Sequence, residues 1–192
     1  SGIAAPPRAR RVAHTLLNGS SFTGWGIRTL DANEARYNPM AYHNGSVWPH
    51  DNAIIALGLA RYGLKDAALK ILEGLFDASL AMDLHRMPEL FCGFHRRPGE
   101  GPTRYPVACA PQSWSAGAVF LLLQACLGLD IDAPAARVHL RQPVLPEGLG
   151  HLEIRNLTVG DARVDLVLKR HGDDVGVHLE GREGEVEVVV VK

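Results

Sequence analysis

The chain has 192 residues, of which 46% are hydrophobic and 21% charged, a balance typical of a globular protein. The formal net charge is −1, so we expect no basic surface for nucleic acid. The longest apolar run, at residues 115–128, contains Gln124 and is too short to span a membrane, so no membrane partner is expected either.

The cysteines and the N-terminus bear on the cellular compartment. Cys92, Cys109 and Cys126 are odd in number and lack the CxxC spacing of a redox or metal motif, which favours reduced thiols over a disulfide framework. The first residues lack the apolar segment of a signal peptide. The sequence therefore predicts a cytoplasmic protein. Because the chain does not begin with Met, an excised part of a longer polypeptide and a natural short protein both stay open.

Apolar periodicity and Pro/Gly signals predict four helices in the first two thirds of the chain. Their expected bounds are about 6–18, 49–62, 64–80 and 112–129. The third helix has one apolar stripe that includes Phe76 and Leu80, and the middle of the fourth is apolar all round, which predicts burial on most sides.

Two long loops, at residues 19–46 and 83–111, separate these helices. The second and third helices are joined by a very short connection at Gly63, so we expect them to form an antiparallel hairpin. This arrangement puts both loops at the same end of the helices, where they would face each other.

After Pro134 the hydrophobic pattern changes to alternation, with Gly-Asp pairs at regular intervals. The pattern predicts an antiparallel sheet of consecutive strands, preceded by a strand near Val138–Leu140. The continuous run Val188–Val191 is typical of a strand covered on both faces. We therefore predict an α+β protein, with a helical domain at residues 1–132 and a small antiparallel β-sheet at residues 133–192.

The stretch from Tyr37 to Asp51 is rich in aromatic rings and hydrogen-bonding groups and leads into the second helix. Such a loop suits the rim of a site for sugars, which stack on rings and offer many hydroxyls. The alternative is a surface loop whose Trp and Tyr fill the core. His43 and His50 lack a metal-ligand spacing, so we expect hydrogen bonding and no metal site.

Glu89 is the carboxylate that best suits catalysis, because Met87, Pro88, Leu90 and Phe91 surround it in sequence. An apolar setting disfavours the charged form of a carboxyl group, as a general base requires. The alternative is a solvated or ion-paired residue, and the spacing alone favours that alternative. The candidate arginine partners are Arg86, Arg96 and Arg97.

Three ordered motifs carry a family resemblance: Tyr42–His50, Pro88–Phe91 and Ala110–Ser115. Together they resemble the C-terminal part of the amylo-α-1,6-glucosidase (glycogen debranching) family, over about residues 1–130. Members of this family are inverting glycosidases built on an (α/α)₆ toroid. The resemblance implies that residues 1–132 form helical hairpins of a partial toroid.

The resemblance also implies site roles and a substrate. Glu89 inherits the role of catalytic base, and the substrate is an α-glucan or an α-glucoside oligosaccharide, with no cofactor or metal. Six further residues match positions in or near the sugar site: Tyr42, His43, Asn44, Trp48, Gln112 and Trp114.

The general acid of that family lies upstream, in a part of the toroid that this chain does not contain. The expected partner is therefore the missing N-terminal part of the toroid, and we expect the isolated chain to bind α-glucosides weakly and to be inactive. Asp51 is the nearest other carboxylate, but its place in the first turn of a helix suits helix stabilisation better than proton donation. The alternative function is a non-catalytic carbohydrate-binding or structural half-domain that lacks the acid.

Overall fold

The computed structural model describes residues 2–192, which form two compact units, residues 2–122 and 123–192. Helices dominate the first unit and strands the second, so the protein is α+β. Among the described residues, no helix combines the length and apolarity needed to cross a membrane. The boundary predicted after residue 132 and the partial toroid stay predictions.

The four predicted helices are all present, with bounds within two residues of those expected. They are α1 (Pro6–Leu16), α2 (Pro49–Arg61), α3 (Lys65–Leu80) and α4 (Ser113–Leu127), and a short 3₁₀ helix spans Asp83–His85. Proline opens α1 and α2, where its fixed φ suits the first turn.

Gly63 ends α2 in the left-handed region, at φ +73. The Gly63 N–H donates to Ala60 O and the Leu64 N–H to Leu59 O, at 3.0 and 3.1 Å, which is the bonding of a Schellman motif. The chain reverses there, and α3 packs against α2 as the predicted hairpin.

Burial differs from the apolar pattern of the sequence on two helices, and the burial predicted for the fourth helix is wrong. On α3, Phe76 and Leu80 are 59% and 55% exposed, although the rest of the predicted apolar stripe packs inward. On α4, Val119 and Phe120 are 47% and 72% exposed. The reason is that residues 113–125 of α4 pack by one face, and only at the end of the helix are adjacent residues, Cys126 and Leu127, buried as well. The buried positions of that face recur three or four residues apart: Ser115, Ala118, Leu122 and Ala125.

The two long loops meet, as predicted. Val47 and Phe91 form an isolated antiparallel bridge with mutual backbone hydrogen bonds of 2.9 and 3.0 Å, and both residues are fully buried. Next to this bridge the loops touch at two glycines. A Cβ on Gly93 would lie 1.6 Å from the carbonyl oxygen of Gly45, so only glycine permits this approach.

Asn52, in the first turn of α2, fastens that helix to the first loop. Its amide accepts from the Ile27 N–H at 2.7 Å and donates to the Ile27 and Trp48 carbonyls at 3.0 and 2.9 Å. Because only 1% of Asn52 is exposed, no solvent replaces these bonds if the side chain is lost.

The second unit contains six strands. They are β1 (Leu129–Asp132), β2 (Arg137–Arg141), β3 (His151–Val159), β4 (Ala162–His171), β5 (Asp174–Glu183) and β6 (Glu187–Val191). They form two three-stranded sheets, ordered β1-β2-β6 and β3-β4-β5. The core of this unit is built around buried side chains such as Leu140, Leu145 and Leu166.

The single antiparallel sheet predicted from the sequence is wrong. β3, β4 and β5 do form an antiparallel meander, but β6 leaves it and pairs with β2 in parallel. β6 lies at the edge of its sheet, and the predicted coverage of both its faces is wrong, since Val190 and Val191 are 39% and 46% exposed. The sequence also missed β1, because α4 ends earlier than expected, before Gly128 at φ +60.

Replacing Asn52 by Ala should lower the free energy of unfolding by about 2–4 kcal/mol, since three hydrogen bonds are lost and buried backbone groups are left unpaired. Denaturant unfolding of the wild type and the variant measures this. Asn33→Ala, at an exposed position, is the matched control and should cost less than about 0.5 kcal/mol. Equal losses in the two variants would contradict the role given to Asn52.

Candidate active site

The site is built around Glu89, which lies in an irregular segment between the 3₁₀ helix and the Phe91 bridge. The Glu89 N–H donates to the Cys109 carbonyl at 2.8 Å, which pairs this segment with residues near the start of α4. The residue is 8% exposed. Glu89 is therefore one of the few buried ionisable residues of the first unit.

Both carboxylate oxygens of Glu89 accept hydrogen bonds from neutral donors. The Tyr42 O–H donates to Oε1 in a short bond, and the Cys109 backbone N–H donates to Oε2 at 3.3 Å. Two of the arginines considered from the sequence pair elsewhere, Arg96 with Asp77 and Arg97 with Glu100. These contacts disagree with the solvated or ion-paired alternative for Glu89.

The contact with Glu89 shifts the pKa of the Tyr42 phenol. Its hydrogen bond to the Glu89 carboxylate, reinforced by burial and by repulsion from the same charge, raises the pKa of Tyr42 to about 12. Tyr42 therefore stays protonated over the whole physiological range and remains a donor to Glu89.

Three further rings contact the ring of Tyr42, and a fourth lies beyond them. Its ring makes edge contacts with His43, Trp48 and Tyr105, at centroid distances of 4.6, 4.8 and 5.7 Å. Trp114, from the first turn of α4, lies 6.4 Å from Trp48. The structure thus links five of the predicted site residues in one connected cluster, in which Glu89 touches Tyr42 and the rings follow in contact: Glu89, Tyr42, His43, Trp48 and Trp114.

Exposure differs sharply within this cluster. Trp48 is 6% exposed, and its indole N–H donates to Tyr42 O and Ser46 Oγ at 3.1 and 2.9 Å. Trp114 is 48% exposed and His43 is also open to solvent. Trp48 therefore acts as a support inside the cluster, whereas Trp114 and His43 offer accessible ring surface.

Asn44 and Gln112 lie at the ends of the segments that carry the cluster. Asn44 is exposed, and its carbonyl accepts from the Asn38 N–H at 2.8 Å. The Gln112 side chain accepts from the N–H of its own neighbour Ser113 at 3.0 Å, and its backbone N–H reaches Met87 O at 3.4 Å. The sugar-binding roles of all six residues, and the catalytic role of Glu89, stay predictions.

Sequence reasoning missed three contributors to the site. Cys109 holds Glu89 through backbone groups alone, which no sequence pattern reveals, and Tyr105 lies in a loop without periodicity. His50 stands in the same aromatic run as Tyr42 and stacks on Trp114, with centroids 4.6 Å apart and planes 23° from parallel. Only His50 could have been proposed from the sequence, because the run itself was visible.

A groove of about 480 Å³ lies on the other side of the segment that carries Glu89. The neighbours of Glu89 and Cys109 line it, but these two residues do not. Its walls include Pro88, Leu90, Tyr105, Ala108 and Ala110. Pro88 and Leu90 line this groove and Glu89 does not, so the groove lies apart from the carboxylate, although Tyr105 of the ring cluster borders it.

No group of three or more His, Cys, Asp or Glu side chains within residues 2–192 has the arrangement of a metal site. His50 instead pairs with a carboxylate, with Nε2 3.1 Å from Asp51 Oδ1. The chemistry available at Glu89 is therefore that of a carboxylate held by a phenol and a backbone amide, beside open aromatic rings.

Comparison with known proteins gives one family match. Residues 1–88 match the model of the mannosylglycerate hydrolase MGH1-like glycoside hydrolase domain, a family related to the amylo-glucosidase-type toroid enzymes. No curated protein matches the chain. The match supports a hydrolase of glycosidic bonds with a carbohydrate substrate. It includes Tyr42, His43, Asn44 and Trp48 and ends one residue before Glu89.

The pKa of Tyr42 gives a direct test of its contact with Glu89. In the wild type we expect the phenol to titrate at about 12, and in Glu89→Gln we expect a lower pKa, closer to the ordinary phenol value near 10, because the charge that opposes ionisation is gone. NMR of ring-labelled tyrosine, assigned with Tyr42→Phe, measures both. Glu34→Gln, at an exposed position in the first loop, is the control. An unchanged pKa in Glu89→Gln would show that the two side chains are not in contact.

Proposed function

We propose that this chain is the part of an inverting α-glucosidase, of the amylo-α-1,6-glucosidase type, that contributes the general base and sugar-binding aromatic residues. The observation that carries the proposal is the position of Glu89. It is a buried carboxylate held at both oxygens by neutral donors, next to a cluster of rings.

The contacts of Glu89 suit the work of a base. An inverting glycosidase uses one carboxylate to take a proton from the attacking water while a second carboxyl group, about 6.5–9.5 Å away, protonates the leaving oxygen. Tyr42 and the Cys109 N–H fix the orientation of Glu89 but occupy only part of its accepting capacity, because each carboxylate oxygen has two lone-pair directions. The remaining directions are available to a water molecule.

The rings supply the complementary part of a sugar site. Ligand sites combine apolar and aromatic surface with a few placed polar groups. In our proposal the half-exposed Trp114 provides the stacking surface, and the buried Trp48 lies next to both Trp114 and His43 and supports them. Asn44 and Gln112 would bind sugar hydroxyls once a ligand is present.

Two substrate classes suit the proposed site. The motif resemblance favours α-glucosidic linkages of branched glucans or α-glucoside oligosaccharides. The matching family model is described by mannosylglycerate hydrolysis, which makes mannosylglycerate the second candidate. Hydrolysis of either substrate class needs a base and an aromatic sugar site.

The proposed mechanism also needs a general acid. The resemblance assigns the general acid to a part of the toroid outside these 192 residues, and we propose that part as the partner of this chain. For this reason, activity is assayed in the natural protein. We also propose a cytoplasmic location, because an odd number of cysteines without paired spacing suits a reducing compartment.

Replacing Glu89 by Gln should keep the shape of the site and abolish most of the turnover, since a neutral amide cannot accept the proton of the water. We expect kcat to fall by about 10²- to 10⁴-fold, the usual contribution of a general base, with little change in substrate binding. Hydrolysis of panose, isomaltose-type oligosaccharides and mannosylglycerate by the natural protein measures this.

Glu34→Gln is the matched control and should retain wild-type turnover. Near wild-type turnover in Glu89→Gln would remove Glu89 from the mechanism. Binding of these sugars without hydrolysis by the wild type would favour the non-catalytic carbohydrate-binding alternative.

A further inference from the structure

His50 is a side chain of the ring cluster to which the proposed mechanism gives no role. It lies in the first turn of α2, directly after Pro49, and its side chain is 23% exposed. Its imidazole is stacked on the indole of Trp114 and makes an edge contact with Trp48 at 5.6 Å. The ring is thus held between a buried indole and an open one.

The hydrogen bonding of the His50 side chain indicates that the imidazole contributes mainly through contacts of its ring faces. Nε2 lies 3.1 Å from the Asp51 carboxylate, which can orient the ring, whereas Nδ1 is buried and has no hydrogen-bond partner among the described residues. A buried nitrogen without a partner adds no stabilising hydrogen bond. The contribution of the imidazole at this position is therefore stacking, oriented through its other nitrogen.

The orientation of Trp114 depends on stacking with His50, whereas the orientation of the other tryptophans is fixed by the core. Trp25 and Trp48 are 5% and 6% exposed and are fixed by the core, whereas Trp114 is 48% exposed. One face of Trp114 lies on the imidazole, which leaves the opposite side of the indole as its open surface. Without the imidazole, the exposed indole would adopt several orientations. A sugar that stacks on it would then have to order the side chain on binding, which lowers the affinity.

We propose that His50 is a positioning residue that fixes Trp114 as the sugar-stacking platform of the site and thereby sets the affinity for the pyranose ring next to Glu89. The inference rests on the proposed carbohydrate-hydrolase function. It assigns to His50 an effect on binding, whereas Glu89 governs turnover, so the two roles can be separated by kinetics.

Three variants of the natural protein separate stacking from hydrogen bonding. His50→Phe keeps a planar ring and loses the contact with Asp51; His50→Gln keeps polar groups and loses the ring; His50→Ala loses both. For panose we expect KM to rise by about 3- to 10-fold in the Gln and Ala variants, the loss typical of one aromatic pair, with kcat within about twofold of the wild type. The Phe variant should remain closest to the wild type.

Tryptophan fluorescence supplies a readout that a purely structural role would not move. In the 192-residue chain, acrylamide should quench mainly Trp114, because the other two tryptophans of this chain are buried. Panose should protect Trp114 in the wild type and in His50→Phe, and should protect it much less in His50→Gln and His50→Ala. His14→Ala, on the exposed side of α1, is the control for loss of an imidazole and should behave as the wild type does.

The outcomes distinguish this inference from the function on which it rests. Unchanged KM and unchanged protection in folded His50→Ala, or a fall in kcat with KM intact, would overturn the role of His50 and leave the hydrolase standing. Wild-type protein that neither binds nor hydrolyses any of these sugars would overturn both. Thermal unfolding checks the fold of each variant, and if His50→Ala does not fold, the comparison of His50→Phe with His50→Gln decides the question.

Discussion

The backbone pairing of Val47 with Phe91 is the constraint on which the candidate site depends. Each residue is fully buried and each donates one hydrogen bond to the other, so this bridge ties the first loop to the second. Tyr42 lies five residues before this point and Glu89 two residues before it. The close approach of Gly45 and Gly93 reinforces the same junction. Two segments far apart in sequence thus place a phenol against a carboxylate.

From that junction the contacts continue outward through rings. The buried Trp48 touches Tyr42 on one side and His50 on another, and His50 supports the half-exposed Trp114. The order from Glu89 to Trp114 runs from a buried charged group to an accessible aromatic surface. This increase in solvent exposure suits a glycosidase site, since a sugar must reach the base from solvent and the apolar faces of the sugar must be held. Rigid support beneath the site also lowers the cost of ordering it when a ligand binds.

Much of the helical part could be predicted because its signals are local. Pro6, Pro49 and Gly63 mark helix ends by their own backbone preferences, and the short turn at Gly63 was sufficient to predict that the two loops meet. The neighbourhood of Glu89 was predicted from the motif resemblance. Its actual partners, the Tyr42 hydroxyl and the Cys109 backbone, depend on loop geometry that local patterns do not encode.

The failures share a different cause, which is long-range pairing. Alternation identified β2 to β6 but could not show that β6 joins β2 in parallel, because a strand carries no signal for its partner. Apolar composition likewise predicted that α4 would be buried on most sides. Only one of its faces packs, and Val119 and Phe120 remain exposed.

The most direct test of Glu89 as the base of a single displacement is the configuration of the first product. Proton NMR can follow the anomeric signals of glucose released from an α-linked substrate by the natural protein, before mutarotation scrambles them. Water activated by a base on the face opposite the leaving group must give β-glucose first. Release of α-glucose as the first product would contradict the assignment, since retention requires a covalent intermediate and gives Glu89 another role.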